Sequence, residues 1–286
     1  MRQTYPTHRK KRRHRGGRLL LLCLLALLLL LADSRYRLVT TAYTVPVAHL
    51  PGAFDGYRIL QLSDLHGAAF GRDNARLLEA AGETEPDLIV LTGDFIDTAE
   101  DIPTAVSLAR ELTALAPTVF ISGNHDWASG EIGTLTGALE QAGVTCLHND
   151  WLALEREGER LLLCGLEDPN SLADNPTPEQ VIGALRQEEP AACTLLLAHR
   201  NTLARDLPGL DVDLILSGHA HGGVIRLPGI GGLLSTEQTI PASYDCGLYR
   251  TARYTLVVSR GLGSSGPVPR LLNNPELVLV TLQSEA

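Results

Sequence analysis

From Tyr57 onward the chain repeats one pattern: a short run rich in Leu, Val and Ile, then a polar cluster, then in most cases a segment of helical period. The runs lie at 58–62, 87–91, 118–121, 160–164, 193–198, 212–216, 254–258 and 277–282. Each has strand length, and several are apolar at nearly every position, as a strand covered on both faces requires. Segments 74–83, 103–115, 130–141 and 178–188 read as helices, two of them with Pro103 or Pro178 at an early position where the missing N–H does no harm. The alternation predicts an α/β fold on a mixed sheet or on paired sheets, filling 57–286 as one body. Ahead of it, 33–56 reads as a linker and entry strand, since Pro46 and Pro51 discourage helix.

Residues 1–32 follow a different rule. A basic head runs into fourteen uninterrupted apolar residues at 19–32. A helix of that length is about 21 Å long, short of the ~30 Å hydrocarbon core of a bilayer. It suits a signal peptide or a signal anchor, and Leu30, where a signal peptidase wants a small residue two before Ala32, favours the uncleaved anchor. The positive charges ahead of it put the N-terminus in the cytoplasm. The body is therefore expected on the extracytoplasmic side of a membrane, tethered or exported.

Charge sharpens this division. Of 24 Lys and Arg, eight precede the first acidic residue, Asp33; the rest of the chain holds 16 arginines, no lysine and all 33 Asp and Glu. An acidic body repels nucleic acid, so none is expected as a partner, whereas a small or lipid-borne phosphate is easily admitted. Cys146, Cys164, Cys193 and Cys246 lack Cys-x-x-Cys spacing, so a zinc–thiolate site is unsupported and their disulfide state stays open.

In α/β proteins chemistry collects at strand ends. Here the runs end in Asp64-Leu65-His66, Gly93-Asp94, Gly123-Asn124-His125-Asp126, His199 and Gly218-His219-Ala220-His221. Any one of these could cap a turn or sit in a core. Together they mix hard oxygen donors with imidazoles in greater number than one tetrahedral site needs, which suits two divalent ions such as Mn, Fe, Zn or Mg.

The order Asp-x-His, Gly-Asp, Gly-Asn-His-Asp, His, Gly-His-x-His over 58–223 resembles the calcineurin-like metallophosphoesterase superfamily. Segments 62–66, 218–228 and 259–263 are similar to its branch of membrane-associated bacterial phosphodiesterases of the YkuE/YaeI type. The resemblance implies a four-layer α/β/β/α sandwich of two mixed sheets flanked by helices. It implies one metal on Asp64, His66, Asp94 and His221 and a second on Asp94, Asn124, His199 and His219, with a shared hydroxide attacking phosphorus. His125 would then assist the phosphoryl or leaving oxygen, and Asp126 would orient its ring.

The substrate implied is a phosphodiester or pyrophosphate, small or lipid-linked. Arg200, Arg260 and Arg270 are candidate phosphate clamps, because a guanidinium fork matches such groups. The 74-position interval from His125 to His199 leaves no room for a large cap over the site. Two alternatives stay open: a phosphomonoesterase or protein phosphatase, and a non-catalytic metal-binding scaffold at the membrane. Against the protein phosphatase, Asp97 is followed by Thr98-Ala99 where those enzymes carry Arg-Gly.

Overall fold

The apolar runs are strands in the computed structural model, which describes residues 13–171, 174–234, 240 and 242–285. In chain order these are β1 (Val39–Val47), β2 (Arg58–Leu62), β3 (Leu88–Thr92), β4 (Thr118–Ile121), β5 (Thr145–Cys146), β6 (Asp150–Arg156), β7 (Glu159–Gly165), β8 (Thr194–Leu197), β9 (Leu214–Ser217), β10 (Arg226–Leu227), β11 (Gly231–Gly232), β12 (Gly247–Arg250), β13 (Thr255–Val258) and β14 (Glu276–Ser284). The helices are α1 (Arg13–Tyr36), α2 (Ala75–Glu83), α3 (Ile102–Thr113), α4 (Asn124–Ala128), α5 (Ile132–Gln141), α6 (Pro178–Glu188) and α7 (Leu203–Asp206).

Two six-stranded sheets form, ordered β1-β14-β2-β3-β4-β5 and β12-β13-β9-β8-β7-β6, with β10-β11 as a separate ribbon. In the first, β2 to β5 run parallel and β14 antiparallel to β2; in the second, β7, β8, β9 and β13 run parallel and β6 and β12 antiparallel. The segment 33–56 supplies β1, paired in parallel with β14 along its whole length.

Burial on both strand faces generates the layers. Ile59, Val90, Ile121 and Val280 of one sheet meet Leu163, Leu195, Leu216 and Val257 of the other in a shared core. The opposite face of the first sheet, Leu60, Ile89 and Phe120, packs on Leu77 of α2, Leu108 of α3 and Leu135 of α5. The opposite face of the second, Leu162, Leu196 and Ile215, packs on Val181 and Leu185 of α6. The result is the four-layer α/β/β/α sandwich. Each fully buried aliphatic side chain contributes about 1.5–3 kcal/mol, so these cores fix the strand ends that carry the polar clusters. Cys164 and Cys193 face different cores, and all five cysteines are free thiols.

Gln61 joins the sheets: its amide, buried in β2, donates to Thr92 Oγ1 (3.0 Å) and to the carbonyl of Ser217 at the end of β9 (2.9 Å). The C-terminal ends of β2 and β3 are thereby held against that of β9.

Helix α1 continues beyond the apolar run in both directions, to 24 residues or about 36 Å. Its stretch Gly16–Tyr36 is long and apolar enough to cross a membrane, and the apolar part of it is not buried against the body. Only its C-terminal end docks: Ser34 is fully buried, its Oγ accepts from Leu272 N (2.8 Å), and Asn274 Nδ2 donates to the Asp33 carbonyl (2.8 Å).

Candidate metal centre

The five polar clusters meet at one edge of the sandwich. Asp64 and His66 follow β2, Asp94 follows β3, Asn124 and His125 open α4 after β4, His199 follows β8, and His219 and His221 follow β9. Asp64, His66, Asp94 and His221 offer ligand atoms within 4.8 Å of one another, and so do Asp94, His199 and His219. Asp94 belongs to both groups.

One Asp94 oxygen, Oδ1, accepts from the backbone N–H of His125 (2.7 Å), whereas Oδ2 is buried and has no hydrogen-bond partner. His199 Nε2 lies 3.2 Å and His66 Nε2 3.7 Å from Oδ2. Around it two pairs of imidazole nitrogens face each other, His66 Nε2 and His221 Nε2 at 3.3 Å, and His199 Nε2 and His219 Nδ1 at 3.2 Å. Asn124 Oδ1 is 3.2 Å from His199 Nε2. Lone-pair atoms converging on an unsatisfied buried carboxylate oxygen form the donor set of a divalent cation, so these residues fit the metals that the sequence implies.

The outer ring atoms fix two tautomers. His199 Nδ1 donates to the Thr92 carbonyl (2.8 Å) and His66 Nδ1 to Asp97 Oδ1 (2.7 Å), so each turns an Nε2 lone pair inward. His221 differs, because Arg270 Nη2 approaches its Nδ1 at 3.3 Å. A cation on His221 Nε2 would leave the proton on Nδ1 and push Arg270 aside.

Electrostatics tell the same story. Burial favours neutral His199, yet the adjacent Asp94 carboxylate prevails and its pKa is pushed up to about 10. Burial together with the charge on His199 drives His219 down to about 3, and burial with Arg270 lowers His221 well below the usual range. Asp94 thus holds one proton on His199 while His219 and His221 stay neutral; a cation in that place would displace the proton and free the Nε2 lone pair.

The backbone is bent to make this possible. Asp64, His66, Asp94, His219 and His221 have φ between 46° and 67°, in the left-handed region that costs non-glycine residues about 1 kcal/mol or more each. Glycines allow the approaches: a Cβ on Gly93 would lie 2.7 Å from Gly123 Cα and from His199 Nδ1. The segment Gly261-Leu262-Gly263 packs on the Asp64 loop, with Leu262 N donating to the Ser63 carbonyl at 2.9 Å and Gly263 N to that of Asp64 at 2.6 Å.

His125 sits at the rim, its side chain 35% exposed, with Nδ1 2.8 Å from Asp97 Oδ1. That hydrogen bond raises its pKa. The same oxygen accepts from His66, so Asp97 ties the rim histidine to the centre. The expected pairing with Asp126 is not what forms. Asp126 is fully buried and accepts backbone N–H groups from Gly123, Asp94, Phe95 and Ile96, holding the loops after β3 and β4 together. Consecutive helical residues do not face one another, which is why His125 turns to Asp97 instead.

The profile of the family described as Calcineurin-like phosphoesterase matches residues 57–223, which include every ligand candidate. The chain belongs to that family. It is 31% identical over 255 residues to the Bacillus subtilis (strain 168) protein named uncharacterized metallophosphoesterase YkuE, covering 87% of each chain. It is 30% identical over 235 residues to the Escherichia coli (strain K12) protein named phosphodiesterase YaeI, covering 79% of this chain and 82% of that one. A Bos taurus protein named transmembrane protein with metallophosphoesterase domain is 31% identical over 258 residues, 85% of this chain but 57% of that longer protein. The chain is thus a phosphoester hydrolase of the metallophosphoesterase type.

The phosphoesterase engages all three candidate arginines internally. Arg200 forks onto the buried Asp168 (2.8 and 3.0 Å), Arg260 pairs with Glu276 (2.7 Å), and Arg270 is buried, donating to the carbonyls of Gly263 and Arg260. Arg200 nonetheless lines a cavity of about 520 Å³ that reaches His199 and is walled by the loops after β7 and β8. Asp97 is the site residue that strand-end reasoning missed; its signal is the Gly-Asp-x-x-Asp spacing of 93–97.

Proposed function

We propose that this phosphoesterase is a dinuclear metal-dependent phosphodiesterase or pyrophosphatase, held at a membrane by α1, that acts on a small or lipid-linked phosphate. The observation that carries this reading is the unpartnered buried Oδ2 of Asp94 between two facing imidazole pairs. Asp64, His66, Asp94 and His221 would hold one ion, and Asp94, Asn124, His199 and His219 the other. When bound, the ions supply Lewis acidity toward the phosphoryl oxygens and lower the pKa of water.

The chain's own residues do the rest. Asp94 Oδ1 is fixed by the His125 N–H, which leaves Oδ2 facing the two imidazole pairs. His125, held by Asp97 and half-exposed, donates a hydrogen bond or a proton to the leaving oxygen. The half-exposed rim and the cavity beside His199 leave room for an ester's second substituent, which favours diesters, as does the name of the YaeI relative. The basic residues ahead of the apolar run favour an extracytoplasmic body by the positive-inside bias.

His125→Ala tests the assignment on two diesters, one with a p-nitrophenyl and one with an alkyl leaving group. Loss of proton donation costs about 10²- to 10⁴-fold on the alkyl ester and much less on the activated one, with metal content unchanged. Equal losses on both would remove His125 as the proton donor. Turnover of monoesters alone by the wild-type chain would remove the diesterase reading.

A further inference from the structure

Outside α1, five of the seven exposed large apolar side chains among the described residues lie on two neighbouring loops. Leu227, Ile230 and Leu234 (37%, 61% and 36% exposed) lie on and just after the β10–β11 ribbon, and Val268 and Leu272 (39% each) lie on loop 264–272. Residues 227–234 and 261–269 contain no charged side chain. The two apolar loops are tied together by the Ile225–Leu271 bridge and by Arg226 N donating to the Leu271 carbonyl (3.0 Å).

The second of these loops is also tied to α1, and through it the ribbon. Leu272 N donates to the buried Ser34 Oγ, and Asn274 donates to the Asp33 carbonyl. The apolar run of α1 ends at Ala32, so Ser34 stands about 3 Å beyond it along the helix. With that run in hydrocarbon, Leu272 lies at the level of the boundary. Tyr36, 60% exposed with the Arg35 guanidinium 5.7 Å from its ring centre, is an amphipathic pair of the kind that settles at a bilayer interface. The loops in turn border the metal centre: Arg270 touches His221 and Gly263 N donates to the Asp64 carbonyl.

We infer that the partner of this apolar face is the bilayer that α1 enters: the tips at Ile230 and Val268 insert at headgroup depth and hold the mouth of the metal centre against the membrane surface. The inference rests on the proposed anchoring and names the source of the substrate, a phosphate ester presented at the lipid–water interface. Apolar insertion, not charge attraction, makes the contact, because the tips carry no cation.

The test uses the full chain reconstituted in phosphatidylcholine vesicles with acyl chains brominated near the headgroup. Single variants Ile230→Trp, Val268→Trp and Leu115→Trp are compared with wild type, whose Trp127 and Trp151 give the background. Leu115 is 42% exposed but precedes β4, at the opposite end of that strand from Asn124. The added emission of the first two is expected to be quenched at least twofold and that of Leu115→Trp not at all. Equal quenching at all three positions would overturn the inference, as would carbonate extraction of the wild-type chain from the vesicles. Hydrolysis of a soluble diester by the same samples reports separately on the phosphoesterase reading, since none of the three positions touches the centre.

Discussion

Asp97→Asn separates orientation from metal binding. One oxygen of Asp97 receives both His66 Nδ1 at 2.7 Å and His125 Nδ1 at 2.8 Å. An amide keeps an acceptor there and removes the charge. A unit pair at ~4 Å interacts by about 1 kcal/mol when fully hydrated and about 4 kcal/mol near a partly covered surface. The His125 and Asp97 side chains are 35% and 33% exposed, so the pair falls between those limits. A loss of about 10- to 100-fold in kcat/KM is expected, as for other outer partners of metal-site histidines. The pH profile adds a sign. The hydrogen bond from Asp97 raises the His125 pKa in the folded enzyme, so His125 stays protonated to higher pH than a free imidazole. Without the carboxylate the acid form disappears at lower pH, and the alkaline limb of the profile shifts toward acid. The assay is kcat/KM against pH on a diester with a poor leaving group, with metal content read on the same samples. An alkaline limb that stays in place would refute the role of Asp97 in holding a proton on His125, even if the rate fell through His66.

Further outcomes follow from the same geometry. Asp126→Asn replaces an oxygen that accepts from Asp94 N and Gly123 N, each at 2.8 Å, with an NH₂ group; two orphaned buried donors cost about 2–6 kcal/mol, visible as a large fall in the urea midpoint. Chelation removes the cations: at free metal 100-fold above Kd each of two bound ions adds about 2.7 kcal/mol, so stripping both should lower Tm by roughly 10–20 °C. Gly263→Ala places a Cβ against the Leu65 carbonyl, displaces the Asp64 loop, and is expected to weaken metal retention, read by dialysis and elemental analysis, before it unfolds the chain.

The strands that carry chemistry were legible because they are covered on both faces, so their sequences are apolar runs stopping abruptly at Asp, Asn or His. Edge strands other than β1 were not: β6 alternates exposed and partly covered positions and ends in Glu155-Arg156, and β5 is two residues long. The length of α1 was underread because polar residues at both ends, Gly16-Gly17 and Asp33 to Tyr36, continue the helix past the apolar run. The ligand candidates were legible one by one at strand ends, whereas their grouping around Asp94, which the structure also brings together, was implied by the family resemblance and not by spacing. Asp126 was paired with His125 by adjacency in sequence, whereas the fold brings in Asp97 from the loop after β3. Arg270, a candidate phosphate clamp by residue type, is buried behind His221.

The most direct measurement is metal stoichiometry against activity: the full chain, stripped and titrated with a single divalent metal, analysed for bound ions and for hydrolysis of bis-p-nitrophenyl phosphate. The account requires two ions per chain, activity that rises with the second, and loss of both the second ion and turnover in Asp94→Asn. Full activity with one ion or none, or an Asp94→Asn chain that keeps two ions and turns over normally, would contradict it.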